Sequence, residues 1–425
     1  MDGIREVYLD NASTTKPTQE IIDLIVKVLK EEWYNPSNIY TPGIAASKRI
    51  ATVRRIIARD INCDEDEIFF TNGGSHGNSI VIDKIFGRTK LTKDQDVDNY
   101  SCILVDPTSH ASILNAKEMT NTLKDKFNNL NSLAKVSQKK NSKFISLNVD
   151  RQGKILISEN QPLIDLTASF CRVHKNPLCV TICGANNEIG TIQDIKSIGG
   201  MIHKAIPYSI FHVDAVQLYP YVKIDVQDME IDCMTVSGHK FGLPAGIGFL
   251  YVSKRVQKYV EPFVYGSQQN GILGGTENTA YIIALGQAVK SLTRTKNYKP
   301  LIEKRDYLIK RILKEIPDCR LIGASYDEPG QRLPNNAYIV FKGIDSSSVI
   351  MNLGIRGIYV SGGSACHAHD RSPSKVLEAI KLDKYLLHSG IRFTLSNDTT
   401  IEDIDYVIEV LKEEVKGART IEKSI

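Results

Sequence analysis

The chain has 425 residues, 53 Lys and Arg against 49 Asp and Glu for a net charge of +4, and 42% hydrophobic residues. That apolar content is ample to offset chain entropy, so general disorder is excluded, and the length predicts two core-bearing domains. So slight a charge argues against a nucleic-acid partner, and no apolar run reaches the roughly 18 residues of a membrane span.

The N-terminus, Met1 to Glu6, reads as neither a signal nor a transit peptide and runs into the strand-like Val7-Tyr8-Leu9. Helical spacing of Ile21, Ile22, Leu24, Ile25, Val28 and Leu29 predicts a helix from Pro17 to Trp33. Glu67 to Phe70 reads as a buried strand leading into Thr71-Asn72-Gly73-Gly74-Ser75 and a helix from near His76. Asn, Lys and Ser dominate Glu118 to Lys143, which reads as a helix extension plus a surface insertion. Further strands are predicted at 102–105, 144–149, 178–183, 210–213, 234–236 and 248–252, with helices such as 194–205 between them. That alternation points to a largely parallel sheet covered on both faces. Long helical patterns follow at 281–290 and 301–316, then strands at 337–341, 358–360 and 391–395 and a helix at 401–415.

Eight cysteines are scattered at 63, 102, 171, 179, 183, 233, 319 and 366 with no CxxC pair or metal spacing. Buried, reduced thiols and a cytoplasmic location are expected. Cys366 stands apart, in a Gly/Ser-rich loop beside His367 and His369.

Ser237-Gly238-His239-Lys240 follows a strand, and a lysine held there away from solvent favours the free amine that a Schiff base needs. Upstream, Asp214 ends the strand of His212-Val213-Asp214-Ala215-Val216-Gln217. A buried Asp wants a cationic partner, and the pyridinium nitrogen of pyridoxal phosphate is one. Gly73-Gly74-Ser75, between a strand and a helix, offers N–H groups suited to a phosphate. Each motif is common alone: a surface lysine, a turn Asp and a strand–helix junction are their plain readings.

Together with Leu9-Asp10-Asn11-Ala12-Ser13-Thr14-Thr15, Asn35-Pro36-Ser37-Asn38, Ser109-His110, Asn186-Asn187-Glu188-Ile189-Gly190, Ser361 to Cys366 and Ile391 to Leu395, they span nearly the whole chain. In that order the set resembles the cysteine desulfurases, the NifS/IscS-like branch of the class V aminotransferase group. The resemblance implies an α/β architecture, the pyridoxal-phosphate-dependent transferase fold type I. Residues 18–295 would form a large domain with a mostly parallel seven-stranded sheet, and 1–17 with 296–425 a smaller α+β domain carrying Cys366 and Arg392.

The resemblance also implies roles. Lys240 would carry pyridoxal 5'-phosphate, Asp214 pair with its ring nitrogen, Gln217 bind its ring oxygen and His110 stack on the ring and move protons. Gly74, Ser75, Ser237 and His239 would hold the phosphate, and Thr276 would reach the neighbouring subunit's site in a homodimer. Asn187 and Arg392 would grip L-cysteine, with Arg392 pairing bidentately with its carboxylate. Cys366 would take the sulfur as a persulfide, leaving alanine, and pass it to an acceptor protein for iron–sulfur assembly or tRNA thiolation. No resident metal is implied, although Cys366 can transiently ligate a nascent iron–sulfur cluster. The spacing from Cys366 to Pro373-Ser374 resembles the branch with the longer cysteine loop.

Four positions depart from the pattern: His76 stands for a Glu, Tyr40 for a His, and Asn270 and Leu273 for two arginines. The chain also stops at Ile425, soon after its last predicted helix, without the scaffold-binding tail of iron–sulfur-assembly members. Altered efficiency or partners are therefore expected. A selenocysteine lyase, another class V enzyme, and a degenerate binding protein of the same fold stay open as alternatives.

Overall fold

A computed structural model describes residues 5–86, 102–115, 143–173, 178–258, 260, 262–292, 298–363 and 373–422. Strand β1 (Val7–Tyr8) leads to α1 (Gln19–Glu31), whose Thr18 cap accepts from the Ile21 N–H and which buries Ile21, Ile25 and Val28. Next comes α2 (Thr41–Ile61), started by Pro42 and ended by Asn62 in the left-handed region at φ 60°. No helix was expected there; Pro42, Gly43 and five arginines and lysines thin its apolar stripe of Ala46, Ile50, Val53, Ile57 and Ile61.

The main sheet begins with β2 (Ile68–Thr71), followed by α3 (Gly74–Ile80). It continues through β3 (Cys102–Val105), β4 (Lys143–Ser146), α4 (Ile157–Val173), β5 (Leu178–Cys183), α5 (Ile195–Ala205), β6 (Ile210–Asp214), β7 (Cys233–Ser237) and β8 (Gly248–Val252). The seven strands lie in the order β2-β8-β7-β6-β5-β3-β4. Only β8 runs against its neighbours, so the sheet is mostly parallel as expected. Strand β4 stops at Ser146, short of the expected Val149, whose backbone instead bridges to Ile155.

Both faces are buried, so the strands read as apolar runs without alternation. Val180, Ile182, Phe211, Val213, Met234 and Val236 face one core with α1, α2, α4 and α5. Cys179, Ile210, Cys233, Leu250 and Val252 face another with the helix after Gly74. After α6 (Lys254–Gln257), α7 (Thr279–Ser291) joins the first core.

Apart from α10 (Lys375–Ala379), whose Val376 and Leu377 pack in a smaller cluster with Ile189 and Tyr338, the later elements share a separate core: α8 (Lys299–Glu315), β9 (Cys319–Ile322), β10 (Asn336–Phe341), α9 (Ser346–Ile355), β11 (Ile358–Tyr359), β12 (Gly390–Thr394) and α11 (Ile401–Glu422). Its antiparallel sheet has the order β12-β10-β9, and α8, α9 and α11 supply Leu308, Leu353 and Leu411. Val7 and Leu9 belong to this core, because β1 pairs in parallel with β11. The last helix runs seven residues past the expected Val415, which its acidic and basic turns extend in solvent. Helices α4 and α9 and strand β9 were not anticipated. Ser346-Ser347-Ser348 reads locally as a loop, but Asp345 caps it by accepting from the Ser347 N–H at 2.9 Å. Nearly all of the expected 118–143 insertion lies outside the described residues.

Candidate active site

Parallel strands deliver their C-terminal ends to one edge of the sheet, where loops can place side chains without breaking the ladder. Asp214 closes β6, level with Cys183 on β5 and Thr235 on β7. It is 4% exposed, and its Oδ1 accepts the Val216 N–H at 3.0 Å while Oδ2 accepts from Asn78 Nδ2 at 2.8 Å. Directly after β7 the chain turns through a short helical turn, Gly238–Phe241, released by Gly242 at φ 87°. That turn aims Lys240 at the N-terminal segment: its Nζ donates to the carbonyls of Ala12 at 2.8 Å and Ser13 at 2.6 Å. Gln217 Nε2 donates to the same Ala12 carbonyl at 2.9 Å.

The glycine turn after β2 sits against this edge. Gly73 has φ 123°, a conformation that L side chains rarely adopt. A Cβ at Gly73 would meet Ser237 Oγ at 3.2 Å, and one at Gly74 would meet Val216 Cγ2 at 2.7 Å. Ser237 is buried, Ser75 is exposed, and His239 Nδ1 lies 3.3 Å from Thr14 Oγ1. Burial, with the Lys240 charge adding to it, pushes the His239 imidazole down to about 4, so it is neutral at physiological pH.

After β3 comes Ser109, with a buried hydroxyl that lacks a hydrogen-bond partner among the described residues, and then His110, half-buried. His110 Nδ1 lies 2.9 Å from Ser112 Oγ. From the smaller core, β12 contributes Arg392, 1% exposed, whose Nη2 donates to Asp10 Oδ1 at 2.7 Å and Nη1 to the Asn187 carbonyl at 2.8 Å. Its Nε is buried without a hydrogen-bond partner among the described residues. Next to Asn187, the carboxylate of Glu188 accepts from Ser374 Oγ at 2.6 Å.

Thr276 is exposed, on a segment apart from these contacts. Cys366, with His367 and His369, lies outside the described residues. Sequence reasoning missed Asp10, Asn78 and Ser112 as members of the site. Asn78 had a local signal, since it lies one helical turn after Gly74; Asp10 carried none beyond its motif, and Ser112 belongs to no motif.

The family model for class-V aminotransferases matches residues 7–131 and 122–407. Over 420 residues the chain is 33% identical to the cysteine desulfurase IscS of Dictyoglomus turgidum, covering 98% of this chain and 96% of that one. The chain belongs to the class-V aminotransferases, in the cysteine desulfurase group. A solved NifS-like protein shares its fold, with a TM-score of 0.79 over 97% of this chain and 100% of the other at 24% identity. A solved SspA in complex with cysteine matches with a TM-score of 0.71 at 25% identity, covering 91% and 98% of the two chains.

Members of this cysteine desulfurase group are pyridoxal-phosphate enzymes, and the donor set here fits that cofactor. Among the described residues, Asp214 is a buried carboxylate hydrogen-bonded to neutral donors, an arrangement that a cationic ring N–H completes. At Gly73 and Gly74 a Cβ would close the space beside Ser237 and Val216, and the absence of both leaves room at this strand–helix junction for a phosphate. Of the four departures, Leu273 is a core residue, 4% exposed beside Ile272, so its apolar character serves packing within the subunit. Asn270 takes a left-handed turn at φ 57°, which Asn tolerates and Arg adopts at greater strain. His76 Nδ1 accepts the Asn72 N–H at 3.0 Å, and burial lowers its pKa. Tyr40 accepts from Asn38 Nδ2 at 2.9 Å.

Proposed function

We propose that this protein is a pyridoxal-phosphate-dependent cysteine desulfurase that converts L-cysteine to L-alanine and collects the sulfur on Cys366. The observation that carries this reading is the meeting of Lys240, Asp214 and the Gly73-Gly74 turn at one sheet edge, within reach of the N-terminal segment that also pairs with Arg392. The relative's name and the cysteine-bound structure support the substrate.

In this reading Lys240 holds the cofactor covalently, and Gly74, Ser75, Ser237 and His239 hold its phosphate. When bound, pyridoxal phosphate supplies a ring that withdraws electrons from the amino acid's Cα–H bond. Asp214 keeps a proton on the ring nitrogen through a charge-assisted hydrogen bond, which its buried carboxylate favours. Gln217 and His110 would also help to hold the ring, Gln217 as a hydrogen-bond donor and His110 by stacking. Lys240 and His110 are the residues that move protons at Cα. Arg392 and Asn187 fix the substrate carboxylate, with Asp10 and the Asn187 carbonyl holding the guanidinium in a set orientation beforehand. The Cys366 thiolate then attacks the substrate sulfur: an S–S bond forms, the Cβ–Sγ bond breaks with its electron pair left on the substrate carbons, and Cβ takes up a proton so that those carbons leave as alanine. A thiol acceptor protein removes the persulfide sulfur for iron–sulfur assembly or tRNA thiolation.

The same reading makes the protein a cytoplasmic homodimer in which Thr276 serves the partner subunit's site, with residues 18–295 as the large domain and 1–17 with 296–425 as the small one. Among the described residues, no helix is long and apolar enough to cross a membrane.

Alanine release from L-cysteine, with pyridoxal phosphate and a reductant, tests the proposal. The intact protein is expected to form alanine and Cys366→Ala to form none. Alanine at equal rates from both would remove Cys366 from the reaction, and none from either, with cofactor bound, would overturn the activity. Selenocysteine as substrate in the same assay distinguishes a selenocysteine lyase.

A further inference from the structure

Asn78 has no part in the roles above, yet it is 1% exposed and sits between two groups that do. Its Nδ2 lies 2.8 Å from Asp214 Oδ2 and 2.9 Å from Ser112 Oγ. Ser112 Oγ in turn lies 2.9 Å from His110 Nδ1. Four residues from three segments of the chain thus form one line, Asp214–Asn78–Ser112–His110.

The chemistry of the two ends sets the direction of every bond along it. A carboxylate only accepts, so the Asn78 amide must turn its NH2 toward Asp214 rather than its carbonyl. The second hydrogen of that NH2 points at Ser112 Oγ, which therefore accepts. The hydroxyl hydrogen of Ser112 is then left to donate to His110 Nδ1. An independent contact agrees: the Ser112 backbone N–H, which can only donate, lies 3.1 Å from the same Nδ1. Nδ1 is therefore a lone pair met by two donors, and the ring proton sits on Nε2.

We propose that Asn78 and Ser112 are positioning residues that lock His110 as its Nε2–H tautomer and set its ring orientation from the charge of Asp214. The proposal deepens the reading of Asp214 and His110 as cofactor-facing residues, but the wire itself consists of protein atoms alone. In function it means that His110 exchanges protons through Nε2, and that its Nδ1 side is closed to that task.

The test is 15N NMR of histidine-labelled, cofactor-free protein at about pH 8, where an unperturbed imidazole is neutral. His110→Gln identifies the resonances. In the wild type, His110 is expected to show a protonated Nε2 and an unprotonated Nδ1. Ser112→Ala, a small change at a half-buried position, is expected to lower the tautomer ratio roughly fivefold, the worth of one net hydrogen bond. Asn78→Leu frees the hydroxyl to reverse and shifts the ratio the same way by less. Ser112→Thr, which keeps the hydroxyl, is expected to restore the wild-type ratio.

A proton on Nδ1 in the wild type, or a ratio unchanged in Ser112→Ala, overturns the proposal. Failure of threonine to restore the ratio assigns the effect to packing and overturns it as well. The measurement needs neither cofactor nor turnover, so a protein without desulfurase activity would still show the tautomer and its dependence on Ser112.

Discussion

One buried histidine ties the strands that carry the candidate site. His212 on β6 is fully buried, with Nδ1 2.8 Å from Thr181 Oγ1 on β5 and Nε2 3.0 Å from Thr235 Oγ1 on β7. It therefore bridges three adjacent strands two residues before Asp214. Burial pushes its pKa down to about 3, against about 6.5 in the unfolded chain. Between those values the unfolded state binds a proton that the native state refuses. The stability this contributes is complete above about pH 6.5 and is lost as pH falls toward 3, by up to about 1.4 kcal/mol per pH unit. His239, pushed down to about 4, adds a slope of the same sign. The melting temperature of the apo protein is expected to fall from pH 7.5 to pH 5, and His212→Gln to show a flatter dependence. An equally steep profile in that variant would reject the assignment. At this scale the positions of Lys240 and Asp214 at the sheet edge were legible in the sequence, because Asp214 ends a short buried strand and Lys240 lies in the turn directly after another. Asp10 was quoted within its motif, but its pairing with Arg392 was hidden, being fixed 382 residues away.

Among elements, the close seating of α3 on the sheet decides whether the glycine turn and Asp214 face each other. Gly77 makes that approach possible: a Cβ there would lie 2.7 Å from Thr235 Cγ2 on β7. Gly77→Val is therefore expected to lift α3, destabilise the protein by about 1–3 kcal/mol and weaken cofactor retention. Thermal melting, together with the absorbance of bound pyridoxal phosphate after gel filtration, checks both effects. A variant that melts and retains cofactor as the wild type does would show that α3 tolerates the displacement. Strands such as β5 and β6 were readable from their compact apolar runs. Helix α2 was not, since Pro42 and Gly43 near its start resemble a loop and its stability comes from packing against α7 in the shared core.

For the molecule as a whole, large apolar side chains remain in solvent: Trp33 is 68% exposed, Ile39 93% and Tyr265 91%. Trp33 stacks on Tyr34 with ring centroids 4.6 Å apart, forming part of an aromatic surface rather than an isolated side chain. The proposed homodimer covers such surface, so sedimentation is expected to give a species of twice the 47.4 kDa chain mass. Trp33→Asp and Tyr265→Glu are expected to shift that equilibrium toward monomer. A monomeric wild type with cofactor bound would refute the dimer and the role given to Thr276.

The sequence by itself determined the α/β class, the parallel strands and the residues at their ends, because those depend on local runs and turns read within a few positions. Tertiary structure alone decided which of those ends converge, and with what. The N-terminal strand β1 joins the core of α8 and α11, and through Asp10 and Ala12 its continuation reaches Arg392, Gln217 and Lys240. Asn78 becomes a junction only when α3 lies on β7 and the loop after β3 closes over it. Such contacts carry no periodic signature: they arise from packing between segments distant in the chain, where burial makes each unpaired polar atom costly and so selects a partner in space.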